Sequence, residues 1–318
     1  PGNPAGEPVD GYGGSSDVVP HLPPVRPLVG IKAALEGKNA AVDLILVEDD
    51  NSNIAEATAK AAAADAVILM AGTVTEEGAD RVAFADKTGL NLQQIGDNLD
   101  WYTIKPNSLT TVDGSNGNKA GNSNTVAMIK AIMGATSTTG KAMNAKTALV
   151  LKDNAGVAMD ADLVGGGAAA PAILEVWFPG QEDGNIVADL VFGDKNPSGK
   201  LPVTFPLKGH SFMESIMGDA KSYPGVKATI AGTDATGEVE YKEKLSIGYR
   251  WYDANNKEVA FTFGHGLSYT SFEVGGKSAS YVGGKLIVKA TVKNVGAMDG
   301  AAVVPVYVTV PAVSGLAQ

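Results

Sequence analysis

Residues 42–71 have the sequence VDLILVEDDNSNIAEATAKAAAADAVILMA, in which two apolar runs flank an alanine-rich segment. The runs 42–47 and 66–71 have the length of buried strands, and residues 54–64 have the composition of a helix with Asn53 as its cap. A strand, a helix and a second strand at this spacing favour parallel pairing, because parallel strands need a long crossover connection. The segment therefore predicts an α/β layer fold.

The alternation of helices and strands continues along the chain. Apolar residues recur at helical spacing in three further segments, and two other short apolar runs have strand length. The predicted helices are residues 27–35, with Pro27 in the first turn, 125–133 and 185–192, and the predicted strands are 148–151 and 172–176. We therefore expect a layered α/β sandwich with a mostly parallel sheet.

Two regions depart from this pattern. Residues 82–122 show no clear periodicity and exceed the length of an ordinary connection within a domain, so we interpret them as a surface insertion. Toward the C-terminus, apolar and polar residues alternate, which predicts a half-buried strand over 286–293, a turn, and a second strand over 303–310. We expect residues 1–270 to form the α/β domain and residues 271–318 to begin a small β-sandwich.

Composition excludes several classes of function. The 318 residues include 25 Lys and Arg against 35 Asp and Glu, which gives a net charge of −10 and lacks the basic footprint for nucleic acid or an anionic membrane. The absence of Cys excludes disulfides, thiolate nucleophiles and Cys-ligated metals. It leaves the compartment open, with the periplasm or secretion favoured over the cytoplasm. No stretch approaches the ~20 apolar residues of a membrane span.

The loop after the predicted strand 66–71 has the sequence GTVTEEGADR over residues 72–81. In open parallel sheets, functional groups gather beyond the carboxyl ends of the strands, and this loop offers two adjacent carboxylates and an Asp–Arg pair. The same residues also fit a solvated acidic loop. Taken alone, they leave a catalytic and a surface interpretation open.

Several common site patterns are missing from the sequence. The glycine run 165–167 lacks the spacing of a dinucleotide fingerprint, and no P-loop is completed anywhere, which argues against a nucleotide-binding domain. His21, His210 and His265 are far apart in sequence, and we interpret each as a surface or packing residue in preference to a member of a triad or a metal site. No Gly-x-Ser-x-Gly elbow is present. We predict neither a metal nor a cofactor.

Longer blocks of sequence give a more specific indication. They are GYGGSS (11–16), PGQEDG (179–184), ADLVFGD (188–194), NPSGKLPVTFP (196–206), IGYRWY (247–252) and FGHGLSYT (263–270). These blocks resemble those of glycoside hydrolase family 3 and occur in that family's order. The resemblance extends to Tyr307, apart from the insertion.

The resemblance implies a domain layout. Members of the family usually combine a (β/α)8-type barrel, a six-stranded α/β sandwich and often a fibronectin-III-like domain. This chain resembles the sandwich without its first strand, followed by the opening strands of the fibronectin-III-like domain. We therefore expect both ends of the chain to be cuts through a larger protein.

The resemblance also implies a retaining mechanism, in which an Asp of the barrel attacks the sugar and a Glu of a sandwich loop is the general acid and base. The family's Glu-Gly-aromatic-Asp-Arg motif matches residues 77–81. Glu77 is thus the predicted acid/base, with Glu76 as the alternative. We expect Asp80 and Arg81 to pin the loop by a charge-assisted pair.

One position departs from the family's motif. Ala79 stands where relatives commonly have Tyr or Phe facing the leaving group, so this chain lacks that platform. Trp101 or Tyr102, in the insertion, is a candidate to replace it by stacking on a sugar face. The alternative is that Trp101 packs the insertion against the core.

Function follows from the resemblance as an expectation. The chain is expected to be part of a retaining β-glycosidase, specifically a β-glucosidase that releases terminal β-D-glucosyl residues from oligosaccharides or aryl glucosides. The implied partners are the substrate, the barrel segment that supplies the nucleophile, and a second copy of the chain in a homodimer. Without its barrel the chain is expected to be inactive. The alternative is a non-catalytic carbohydrate-binding or interaction module with the same fold.

Overall fold

The fold was described from a computed structural model. Structural statements refer to the residues that it describes, which are 22–48, 51–72, 125–153, 156–159, 161–164, 171–207, 209–216, 219, 221–222, 226–228 and 236–309.

Helices and strands alternate over most of this range. The helices are α1 (Pro27–Ala34), α2 (Ile54–Ala63), α3 (Thr125–Met133), α4 (Met143–Lys146), α5 (Asp183–Phe192), α6 (Phe212–Ile216) and α7 (Tyr249–Ala254). The strands are β1 (Val67–Gly72), β2 (Thr147–Lys152), β3 (Ala172–Glu175), β4 (Phe205–Pro206), β5 (Val226–Ala228), β6 (Thr236–Glu238), β7 (Val259–Phe261), β8 (Phe272–Val282) and β9 (Lys285–Asn294).

The central sheet consists of β1, β2 and β3 in that order, and both pairs of strands are parallel. These are the strands predicted over 66–71, 148–151 and 172–176, so those predictions are confirmed. β2 lies between its two neighbours, and its side chains are buried almost throughout. A strand that is covered on both faces reads as a continuous apolar run, which is why the sequence identified it.

Helices cover both faces of this sheet. Leu149 and Leu151 of β2 belong to a core on one face that includes Ile129 of α3. Val150 points to the opposite face, where it packs with Ile31 of α1 and Val187 of α5. The alternation follows from the two-residue period of a strand. The predicted α/β layer architecture is therefore confirmed.

The helix predictions also hold. α1, α2, α3 and α5 form at the predicted segments, with Pro27 at the first helical position of α1. Gly193 follows α5 with a φ of 80°, the left-handed conformation that ends many helices. Asn53 precedes α2 as predicted, but its side chain does not cap the helix. Its side chain instead forms hydrogen bonds with the backbone of residues 46 and 48, which precede the helix.

The prediction of a strand over residues 42–47 is wrong. No strand forms over residues 40–48. The Asn53 amide accepts a hydrogen bond from the Glu48 N–H at 2.9 Å and donates one to the Leu46 carbonyl at 2.7 Å. Because these backbone groups bond to a side chain, they are not used to pair with β1. Val42 and Val47 still pack against the two cores, so the apolar run is used for packing alone.

Two short antiparallel pairs and one long hairpin follow the central sheet. β4 pairs with β7, β5 with β6, and β8 with β9. The strand predicted over 286–293 is confirmed as β9, but the prediction of a half-buried strand is wrong, because every residue of β9 is exposed. The strand predicted over 303–310 is also wrong, since residues 301–309 form none. The described residues supply no second layer to cover either segment.

A polar junction attaches the hairpin to the α/β part. The Asn196 side-chain oxygen accepts hydrogen bonds from the Tyr269 N–H at 2.7 Å and the Ser268 hydroxyl at 3.0 Å. The Thr270 hydroxyl donates to the Asn294 side-chain oxygen at 2.8 Å. Asn294 is the last residue of β9, so this junction fixes the hairpin at its base.

Residues 82–122, predicted as an insertion, lie outside the described residues. No described helix combines the length and the apolar character needed to cross a membrane.

A buried lysine caps the C-terminal end of α2. The Lys146 ammonium, 6% exposed, donates to the Ala62 carbonyl at 2.8 Å and the Ala64 carbonyl at 2.7 Å. Carbonyls at a helix end have no partner within the helix, and a cation there also interacts favourably with the helix dipole. Lys146 therefore joins α2 to the start of β2.

We predict that Lys146→Met lowers the free energy of unfolding by about 1–3 kcal/mol, because the buried Ala62 carbonyl and the partly buried Ala64 carbonyl lose a charged donor. Urea denaturation of the chain measures this change. Lys60→Met is the matched control, since Lys60 is half exposed and forms a surface ion pair with Glu56 at 3.0 Å. We expect that control to cost less than about 0.5 kcal/mol. Equal losses in the two variants would contradict the capping role.

Candidate active site

The residues predicted for the site lie outside the described residues. They are Glu76, Glu77, Asp80, Arg81, Trp101 and Tyr102. Their predicted roles are therefore neither confirmed nor contradicted. The structure does describe the place where the loop that carries Glu77 leaves the sheet, at Gly72.

The three parallel strands end together. Gly72 of β1 is paired with Lys152 of β2, and Leu151 of β2 is paired with Glu175 of β3. The loops that follow the strands consequently start from one edge of the sheet. This carboxyl edge is the usual location of functional groups in a parallel sheet, as the sequence analysis expected.

A buried ion pair lies on one face of this edge. Lys152 points to the same face as Val150, and its ammonium binds the carboxylate of Asp183, the first residue of α5. Lys152 is 1% exposed and Asp183 is fully buried. Burial lowers the pKa of Lys152, while the hydrogen bond and the charge of Asp183 act in the opposite direction. The dipole of α5 also favours a carboxylate at its N-terminus.

Two carboxyl groups interact on the other face. Burial raises the pKa of Glu175 to about 9, with a further contribution from the negative charge of Asp153. Asp153 is itself 1% exposed. Glu175 is therefore protonated at neutral pH, and a hydrogen bond joins the two side chains. The pair holds one proton because two adjacent buried carboxylates repel each other.

The backbone adopts an unusual conformation just after Glu175. Its Oε1 accepts a hydrogen bond from the Trp177 N–H at 2.8 Å. Trp177 has a φ of 53°, a left-handed conformation that a bulky residue seldom adopts. Its ring packs edge-on against Phe205, with 5.9 Å between the ring centres. Hydrogen bonding and packing together stabilise this left-handed conformation at the carboxyl edge.

Sequence reasoning missed these buried charges. The signal available for Lys152 and Asp153 is their position directly after the apolar run 148–151, where a buried strand ends. Asp183 and Glu175 carried no comparable signal, since charged residues beside a helix or strand are usually solvated. In the described part of the chain, no three side chains form a cluster that could hold a metal ion.

Comparison with known proteins places this architecture in a family. The model of the glycosyl hydrolase family 3 C-terminal domain matches residues 2–269. The chain belongs to glycosyl hydrolase family 3. This confirms the resemblance found in the sequence and identifies the α/β part as the C-terminal domain of that family.

The relatives of this family 3 chain are β-glucosidases. β-Glucosidase B of Emericella nidulans is 42% identical over 143 residues, which cover 43% of the chain and 16% of that enzyme. DesR, a β-glucosidase from Streptomyces venezuelae solved with D-glucose, is 29% identical with a TM-score of 0.54, over 77% of the chain and 24% of DesR.

β-Glucosidase 3B of Thermotoga neapolitana has the same fold. It is 24% identical with a TM-score of 0.60, over 94% of the chain and 37% of that enzyme. The family 3 chain thus spans well under half the length of each of the three relatives.

We predict that Lys152→Met lowers the free energy of unfolding by about 3–5 kcal/mol, because the buried carboxylate of Asp183 loses its cationic partner. Replacing both residues, by Lys152→Met and Asp183→Leu together, should recover much of this loss, since both charges of the pair are then removed. Urea denaturation of the three proteins measures both effects. A double variant less stable than the single one would contradict this account of the pair.

We predict that Glu175→Gln flattens the pH dependence of stability. Between its ordinary pKa of 4.5 and about 9, Glu175 keeps a proton in the folded state that the unfolded chain releases. Its contribution to the free energy of unfolding therefore falls as pH rises through this range, by at most about 1.4 kcal/mol per pH unit. Glutamine keeps the acceptor for the Trp177 N–H and cannot ionise.

The measurement is the free energy of unfolding in urea at pH 5 and pH 9. Glu56→Gln is the control, because Glu56 is exposed on α2. The difference between the two pH values should shrink in Glu175→Gln and stay unchanged in Glu56→Gln. An unchanged pH dependence in Glu175→Gln would exclude a proton held on this pair.

Proposed function

We propose that this chain is the acid/base-bearing part of a retaining β-glucosidase. The observation that carries the proposal is the family 3 match over residues 2–269 together with a carboxyl-edge loop that contains the Glu-Gly-x-Asp-Arg pattern. The loop begins directly after β1, the edge strand beside the buried β2. The β-glucosidase names of the relatives favour an enzyme over a non-catalytic module.

In the proposed mechanism, Glu77 donates its proton to the glycosidic oxygen as the leaving group departs. An Asp of the barrel segment forms the covalent bond to the sugar, and Glu77 then removes a proton from the attacking water. The two carboxyl groups must lie about 5–5.5 Å apart, and the acid must stay protonated while the nucleophile is ionised. The substrate class is a β-D-glucoside with a free non-reducing end.

Neighbouring residues support Glu77 in this proposal. Asp80 and Arg81 hold the loop through a charge-assisted hydrogen bond. Trp101 or Tyr102 supplies an apolar ring face for the leaving group, in place of the side chain that Ala79 lacks. The sugar at the reacting position is contacted mainly by the barrel segment, which is the proposed partner of this chain.

We also propose a domain boundary at residue 270, with residues 271–318 opening a fibronectin-III-like domain. The support is the hairpin of β8 and β9, whose register places Val274 opposite Val292 and Tyr281 opposite Leu286. These residues share an exposed apolar face. A two-stranded hairpin is marginally stable alone, so further strands packed on this face would complete a sandwich.

The acid/base role of Glu77 is tested by Glu77→Ala in the complete enzyme that contains this chain. Loss of a general acid should lower kcat/KM on cellobiose by about 10²–10⁴-fold. An aryl glucoside with a good leaving group should be affected least, and azide should partly restore its turnover. Glu76→Gln is the control and should retain activity. An unchanged rate on cellobiose in Glu77→Ala would refute the assignment.

A further inference from the structure

The end of β1 rests directly on the backbone of β2. Gly72 is paired with Lys152, and a Cβ at Gly72 would lie 2.1 Å from the Lys152 carbonyl oxygen and 2.8 Å from the carbonyl carbon. Any side chain at residue 72 therefore requires the two strand ends to separate. The backbone of Lys152 thus fixes the point at which the loop that carries Glu77 leaves the sheet.

Polar contacts hold the end of β2 on both faces. On one face, the buried ion pair with Asp183 connects Lys152 to the first residue of α5. On the other face, Asp153 interacts with Glu175 of β3. Both contacts are buried. In the protein interior, electrostatic interactions are stronger than in water, and displacing a charge from its partner is costly. These contacts restrict movement of the end of β2, against which the end of β1 packs.

We propose that the end of β2 positions the acid/base, with Gly72, Lys152 and Asp183 as positioning residues of the glycosidase reaction. The inference rests on the proposed function, because it takes Glu77 as the acid/base. A general acid must lie within hydrogen-bond reach of the leaving oxygen, and a displacement of about 1 Å costs on the order of 10²-fold in rate. Glu77 follows Gly72 by only five positions in the sequence, so we expect a shift of the strand end to displace the acid/base.

A positioning effect has a signature that loss of stability lacks. Protonation of the leaving oxygen matters most when the leaving group is poor. A displaced acid should therefore lower kcat/KM on cellobiose while sparing an activated aryl glucoside. Partial unfolding reduces the concentration of active enzyme, and it lowers the rates on both substrates by the same factor.

The test compares Gly72→Ala with wild type in the complete enzyme, on cellobiose and on dinitrophenyl β-glucoside. We expect kcat/KM to fall about tenfold or more on cellobiose and less than about threefold on the aryl glucoside. Gly275→Ala is the matched control, because a Cβ at Gly275 meets no atom within 4 Å. Its ratio of the two rates should equal that of wild type.

Equal losses on both substrates, or no loss, would overturn the positioning role. If Gly72→Ala does not fold, Asp183→Asn makes the same comparison, because it preserves the side-chain volume and removes the charge. Glu77→Ala is measured in parallel. If it lacks the leaving-group dependence, the proposed function fails. If it has the dependence and both positioning variants lack it, only the present inference fails.

Discussion

A lysine buried at the end of the central strand β2 requires a negatively charged partner. The ion pair that it forms joins the sheet to helix α5. The ammonium of Lys152 has almost no contact with water, and an isolated charge in such a place would be very costly. Asp183 meets the requirement at the first residue of α5, where the helix dipole also favours an anion. The ion pair therefore fixes the start of α5 against the carboxyl edge of the sheet, and it does so on the face opposite the Asp153–Glu175 pair.

Most of the α/β part could be predicted from sequence because its signals are local. The strands β1, β2 and β3 contain continuous apolar runs, and the helices around them have apolar residues at helical spacing. Residues 42–47 show where this reasoning fails. Their composition is that of a strand, but the Asn53 side chain binds the Leu46 carbonyl and the Glu48 N–H, and no strand forms. Strand formation depends on the partner that the backbone finds, and a single segment contains no information about that partner.

The candidate site also has a part that the sequence predicts and a part that it does not. The location of the edge follows from the rule for parallel sheets, which the sequence analysis applied to residues 72–81. The buried charges could not be found, because Lys152 and Asp183 are 31 positions apart and each resembles a solvated residue in sequence. Only the strand register and the path of α5 bring them together. For β9, the alternation of apolar and polar residues correctly predicts a strand. It does not predict whether a second layer covers that strand, and the described β9 is exposed.

Helix α5 connects the carboxyl edge to the C-terminal hairpin. Its first residue, Asp183, binds Lys152 at the edge, and the Leu190 carbonyl in its last turn accepts a hydrogen bond from the Tyr269 hydroxyl at 2.8 Å. Asn196, just beyond the helix, binds the Tyr269 N–H. A helix of ten residues spans about 15 Å as a rigid unit. Any strands that cover the apolar face of the hairpin would therefore stabilise, through this one helix, the same edge from which the proposed catalytic loop departs.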